Sequence, residues 1–153
     1  PLFERYQSHY HLLGSIEGAE LTAFYKNLDC LCIPSLNNTE TFGLVQIEAM
    51  MNGTPSVAAA LPGVRQPVTM TGMGELIPVG DHEALAEAII QILGDKEAYL
   101  RDSDLIARSF SPDETAVAYL TLFNNLQNGI HDSTAPEPAA YERLRAMRDA
   151  MKK

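Results

Sequence analysis

The chain has 153 residues, enough for one domain with a sizeable core. Its 20 acidic and 11 basic side chains leave a net charge of −9. Residues 1–130 hold sixteen acids against six bases, a net of −10, so the body has no basic stripe of the kind nucleic acid needs. No run of about eighteen apolar residues offers a membrane span. Pro1–Tyr10 is too polar for a signal peptide, and with Pro1 in place of Met the chain reads as the middle of a longer one.

In chain order, Leu12–Ile16 is a short apolar run and predicts a strand. Ala19–Leu28 carries Leu21, Phe24, Tyr25 and Leu28 at helical spacing. Cys30–Pro34 is continuously apolar, as in a strand buried on both faces. Cys30 and Cys32 fall side by side on it, and a free thiol pair is expected over a disulfide, in keeping with a cytoplasmic location. Phe42–Asn52 predicts a helix closed by Gly53. Ser56–Ala60 and Glu75–Val79 predict strands on either side of the loop around Leu61-Pro62-Gly63. Asp81 caps a predicted helix running to Leu93 with Gly94 as its stop, and Lys96–Ser109 reads as another helix. Ser111-Pro112-Asp113-Glu114 is a capping box opening a helix that ends at Asn128-Gly129. Met70 and Met73 read as packing residues.

Strand and helix alternate, which implies an α/β fold: a Rossmann-like parallel sheet with helices on both faces, followed by a helical extension. The predicted organisation is a lobe over 1–130, a linker over 131–138 and a final helix over 139–153.

The informative stretch is Glu40–Gly53, ETFGLVQIEAMMNG. Thr41 reads as an N-cap, which would leave the amides of Phe42, Gly43 and Leu44 as the free donors of the first turn. A helix N-terminus after a parallel strand suits an anion, and Gly43 allows close approach. Glu48 sits among Leu44, Val45, Ile47, Ala49, Met50 and Met51, so the helix reads as buried all round and the carboxylate as needing a partner. It would lean back toward the anion site and accept from ligand hydroxyls, or else cap a backbone amide or pair with Arg65. Glu40 taken alone reads as a surface loop acid stabilised by the helix dipole.

The run P-S-x(n)-E-T-F-G-L-V-x-x-E-A-M-x-x-G-x-P resembles the signature of the family 4 glycosyltransferases, with Glu40 and Glu48 separated by seven residues. The resemblance continues upstream in Leu12-Leu13-Gly14-Ser15-Ile16, Glu20-Leu21 and Phe24-Tyr25. Downstream it runs through Pro78-Val79-Gly80-Asp81, Leu85-Ala86 and Ile89, covering about residues 11–94. It implies a GT-B fold, two Rossmann-like lobes with the active site between them, of which this is the C-terminal, nucleotide-sugar-binding one. It also implies retaining transfer of a hexose-type unit from a nucleotide diphosphate sugar, which is substrate rather than cofactor, with no essential metal. By the same resemblance Glu40 would face the donor sugar as the catalytic acid. Glu48 would hold the ribose hydroxyls, and Thr41 and the amides of Phe42, Gly43 and Leu44 would line the sugar and pyrophosphate. Ile16 would lie by the nucleobase.

Three departures stand out. The Arg and Lys that family members carry shortly before the first strand have no counterpart, since only Arg5 precedes it and its context differs. They and the acceptor-binding N-terminal lobe are expected in missing sequence, which leaves the isolated chain inactive. Where many members have a Glu shortly after Gly63, this chain has Gln66, and Arg65 reads as a phosphate contact or a surface ion pair.

His9, His11, His82 and His131 show no metal-ligand spacing, and no phosphate-binding P-loop occurs. The alternatives are a GT-B nucleotide-sugar epimerase and a non-catalytic nucleotide-binding or scaffold lobe. Tyr141, Leu144, Met147 and Met151 give the last helix an apolar stripe, while Arg143, Arg145, Arg148, Lys152 and Lys153 make its other faces basic. The end of a GT-B chain commonly crosses back to the N-terminal lobe. With no such lobe, the stripe has to pack on its own domain, meet another copy or fray, and salt-sensitive docking on the acidic body or self-association is expected. Peripheral membrane association of the parent is compatible with this reading.

Overall fold

The computed structural model describes residues 2–130 and 139–150. A single helical turn, α1 (Leu2–Arg5), precedes an irregular segment. Then follow α2 (Gly18–Asn27), β1 (Leu31–Ile33), α3 (Leu44–Met51), β2 (Ser56–Ala59), α4 (Gln66–Thr71), β3 (Gly74–Ile77) and α5 (His82–Gly94). The chain ends in α6 (Ser103–Ser109), α7 (Pro112–Gln127) and α8 (Ala139–Ala150).

The three strands form one parallel sheet in the order β1-β2-β3, with Cys32 opposite Val57 and Val57 opposite Glu75. Alternation of side chains along β2 sends neighbours to opposite layers. Ala58 faces a core with Ile47 and Met50 of α3, Val64, Val68 of α4, Met73, Ile106 of α6 and Leu144 of α8. Val57 faces a second core with Ile77, Ala88, Ile92 and Tyr99. The expected α/β architecture, a parallel sheet with helices on both faces, is therefore present.

The predicted strand at Leu12–Ile16 does not form. That segment has no regular structure, and Leu12 is 84% exposed. A strand is defined by its neighbour, and Gly14 at φ +72 turns the backbone out of the extended region. With no strand among the described residues paired to its outer edge, β1 is only half-buried rather than enclosed on both faces. Cys32 on it and Cys30 just before it are both free thiols.

Caps behave as local rules require. Asp81 accepts from the Ala84 amide at 2.9 Å and Ser111 from the Glu114 amide at 3.2 Å. Gly53 follows the end of α3 at φ +80, and Gly129 follows α7 at φ +70. Lys96–Ser109 is not one helix: Lys96–Tyr99 is a 3₁₀ turn, and Asp102 opens α6 by accepting from the Leu105 amide at 2.9 Å. An Asp that bonds its own backbone competes with helix continuation, so the break falls there.

The linker at 131–138 lies outside the described residues, as do Met151, Lys152, Lys153 and the Tyr141 side chain. The last helix packs on its own lobe, against α4 and α6. Leu144 is buried in the first core and Met147 packs against it. Arg148 donates to the Thr69 carbonyl at 3.1 Å and Arg101 to the Gly72 carbonyl at 2.9 Å, so two arginines cover the C-terminal end of α4. By contrast α7 has no buried residue, and Val117, Tyr119, Leu120, Phe123 and Leu126 are exposed along it.

Candidate functional site

After β1 the chain crosses the carboxyl end of the sheet and enters α3 through the turn 40–43. Gly43, not Thr41, is the N-cap. It sits in the left-handed region at φ +79, and a side chain there would also strike the Gln46 amide. The capping oxygen comes from Glu40, whose Oε1 accepts from the Gly43 amide at 3.0 Å. Gln46 is fully buried and donates through Nε2 to the Val64 carbonyl at 2.9 Å. Gly63 lies directly beneath Thr41, whose carbonyl fills the space a Cβ would need. The half-buried ring of Phe42 stacks at 6.2 Å from Phe110. The turn is thus clamped from three sides.

Of the three amides expected to be free, that of Gly43 is taken by Glu40, while those of Phe42 and Leu44 reach no acceptor among the described residues, nor does that of Val45. Free donors at the positive end of a helix dipole are what an anion needs.

Glu48 lies one turn further along, and α3 is two-faced rather than buried all round. Gln46, Ile47, Ala49 and Met50 face inward, while Leu44, Val45, Glu48 and Met51 are exposed. The helix packs against β2, α4 and α6, and α2 touches its outer side, yet Leu44, Val45, Glu48 and Met51 stay exposed, so an apolar composition does not mean enclosure. The Glu48 carboxylate accepts from the Tyr25 hydroxyl at 2.8 Å through Oε2. Burial first, and then the bond to and charge of Glu48, push the Tyr25 phenol up to about 12. Arg65, the other partner considered for Glu48, is exposed and makes no ion pair among the described residues.

Glu40, Phe42, Gly43, Leu44 and Glu48 are therefore brought together on one turn and the helix it starts. Thr41 stands in the same turn with an exposed side chain. Ile16 is half-buried in the irregular segment, and no hydrogen bond among the described residues ties it to the turn. A separate hollow of about 130 Å³ opens at the carboxyl ends of the three strands, lined by Pro34, Leu36, Ala59, Ile77, Asp81 and Leu85 among others, and includes none of these residues. No group of three or more metal-ligating side chains occurs among the described residues.

The contacts that Tyr25, Gln46 and Gly63 make were not legible in the sequence. Tyr25 counted only as an apolar position in a helix, although a buried tyrosine hydroxyl demands a partner, and that demand was the available signal. Gln46 and Gly63 meet partners eighteen or more positions away in the chain, which no local pattern reports.

Residues 3–104 match the family described as Glycosyl transferases group 1. The chain is 38% identical over 85 residues to a phosphatidyl-myo-inositol mannosyltransferase of Mycobacterium leprae, covering 56% of this chain and 22% of that protein. It is 36% identical over 110 residues to a D-inositol 3-phosphate glycosyltransferase of Corynebacterium glutamicum, covering 70% of this chain and 26% of that protein. Among solved structures, sucrose-phosphate synthase from Thermosynechococcus elongatus superposes with a TM-score of 0.65 at 30% identity, covering 84% of this chain and 33% of that one. The chain thus spans about a quarter of the length of the curated relatives it matches, and its fold is the Rossmann-like one of a GT-B lobe. No helix among the described residues is long and apolar enough to cross a membrane.

Proposed function

Since this chain belongs to the glycosyl transferases group 1 family, we propose that it is the donor-binding, C-terminal lobe of a retaining glycosyltransferase that uses a nucleotide diphosphate sugar. The observation that carries this reading is the placement of Glu40 in the turn and Glu48 on the helix that the turn starts, with open amides between them. Glu48, exposed and held at one oxygen, accepts from the ribose hydroxyls. The Leu44 amide and the positive end of α3 face the pyrophosphate and stabilise the departing diphosphate, a preorganised electrostatic contribution. The Gly43 amide joins them when Glu40 turns from its cap toward the donor sugar. Thr41 and Phe42 shape the same turn, and Ile16 lies toward the base.

The relatives' names differ in what is modified, phosphatidyl-myo-inositol in one and D-inositol 3-phosphate in another, while this lobe is common to them. That supports assigning the lobe to the donor side and leaving the acceptor to the remainder of the protein. Cations that would neutralise the diphosphate are scarce here. Arg101, Arg148 and Lys96 are tied to backbone carbonyls and Arg5 lies over the Tyr6 ring, while Arg65, exposed beside the 61–64 loop, makes no ion pair among the described residues and is the candidate left near the turn. The lobe alone therefore binds a donor weakly and turns nothing over.

Titration of the chain with uridine, guanosine and adenosine diphosphates, followed by amide chemical shifts, tests the reading. Shifts centred on residues 40–48 are expected for at least one of them. Glu48→Gln should weaken that binding by ~1.5–3 kcal/mol, the loss of a charged hydrogen bond. No shift with any diphosphate at millimolar concentration, or an unchanged affinity in Glu48→Gln, would overturn it.

A further inference from the structure

Glu48 is an exposed side chain with three rotatable bonds, and left alone it would sample many directions. It is not left alone. The Tyr25 ring is 6% exposed, and its hydroxyl meets Oε2 of Glu48 at 2.8 Å. The backbone of Tyr25 is pinned in turn: its carbonyl accepts from Thr54 Oγ1 at 2.6 Å and from the Leu28 amide at 3.1 Å. Thr54 is itself fully buried between α3 and β2, and Lys96 Nζ donates to the Leu28 carbonyl at 2.8 Å, fixing the end of α2 from the other side. A rigid donor therefore holds one oxygen of a carboxylate that is otherwise free to move.

Oε1 of Glu48 has no partner among the described residues, and Oε2 keeps one lone pair beyond the tyrosine bond. A vicinal diol donates two hydroxyl protons from adjacent carbons, and a carboxylate held in one rotamer can take both. A carboxylate spread over several rotamers must first be ordered, which lowers affinity without removing any contact.

We infer that Tyr25 is a positioning residue, which sets the Glu48 carboxylate in the orientation that receives a vicinal diol such as that of a ribose. The inference rests on the reading of Glu48 given above. Tyr25 touches no ligand itself; it acts through Glu48. It stays a neutral donor through the physiological range, because burial and the neighbouring carboxylate both disfavour its phenolate.

The experiment is a double-mutant cycle on the whole chain, Tyr25→Phe, Glu48→Gln and both together. Affinity is read by titration against whichever of the three nucleoside diphosphates binds and its 2′,3′-dideoxy analogue. Tyr25→Phe keeps the ring and removes only the hydroxyl, so the loss expected is about three- to tenfold, that of one neutral hydrogen bond. The loss should vanish against the dideoxy ligand and add nothing in the Glu48→Gln background. A loss equal for both ligands would assign Tyr25 to folding alone and overturn the inference, as would no loss at all while Glu48→Gln still weakens binding. An inert Glu48→Gln would instead sink the functional reading beneath it. In the unsubstituted chain, a Tyr25 hydroxyl proton that stays protected from exchange when the diphosphate binds is the expected result. Its release on binding would overturn the proposal without any variant.

Discussion

The Glu40 carboxylate occupies the amide of Gly43, so the acid expected to face a sugar is also the group that closes its own helix. The two roles fall to different oxygens, since Oε1 holds the Gly43 amide and Oε2 keeps its lone pairs for a ligand.

Glu40→Ala therefore has two separable effects. In the chain it removes a cap and should lower stability by ~0.5–2 kcal/mol in urea denaturation. In the full-length protein it should depress turnover far more than it weakens nucleoside diphosphate binding, measured by kcat against Kd. Equal losses in both would leave Glu40 as a cap and nothing else.

Gly63→Ala tests the clamp under the turn. The added methyl would overlap the Thr41 carbonyl, so either the 61–64 loop or the turn must move. Overpacking of this kind costs about 1–3 kcal/mol, and an unaltered midpoint of urea unfolding would show that the loop yields freely. Amide shifts of residues 40–46 should move with it, because Gln46 binds the same loop at Val64.

Alkaline titration reads the two buried tyrosines. Tyr25 and Tyr99 are pushed up to about 12 from 10.0, by burial first and then by Glu48 and Glu75 respectively. A raised folded value means the neutral phenol is favoured by the fold. The stability it contributes is fully present below pH 10 and is lost as pH rises through about 12. Phenolate absorbance should show two late ionisations, Tyr25→Phe should remove one, and a wild-type chain with none would contradict both hydrogen bonds.

The last helix is held by burial more than by charge. Leu144 is 1% exposed in the first core, and Leu144→Ala should cost about 2–5 kcal/mol. Amide exchange in 142–150 should stay slow at high and low salt alike. Salt-induced fraying would restore the expectation that its basic face, rather than its apolar one, does the docking.

What was legible in the sequence was what chemistry fixes locally. Asp81 and Ser111 declared their helices, Gly53 declared the end of α3, and the alternation of apolar runs declared a parallel sheet. Leu12–Ile16 looked as strand-like as Ser56–Ala60, but one has a neighbour to pair with and the other has not. Thr41 looked like the cap because Thr usually is one, while the positive φ of Gly43 comes from the fit of the turn on the 61–64 loop. The position of Glu48 one turn beyond the start of α3 was readable from its spacing. Its exposure and its tyrosine partner were not, since both depend on where α2 lies.

The open outer edge of β1 and the bare apolar side chains of α7 bear on how this chain behaves in a tube. Unpaired strand amides and uncovered Leu, Phe and Tyr side chains both invite other copies. What opposes them is the charge of −9, which makes copies repel one another. That repulsion is on loan from the pH. As the medium is acidified toward the isoelectric point near 4.8, the charge vanishes while the sticky surfaces remain. Association between copies should therefore set in as the pH falls toward that value.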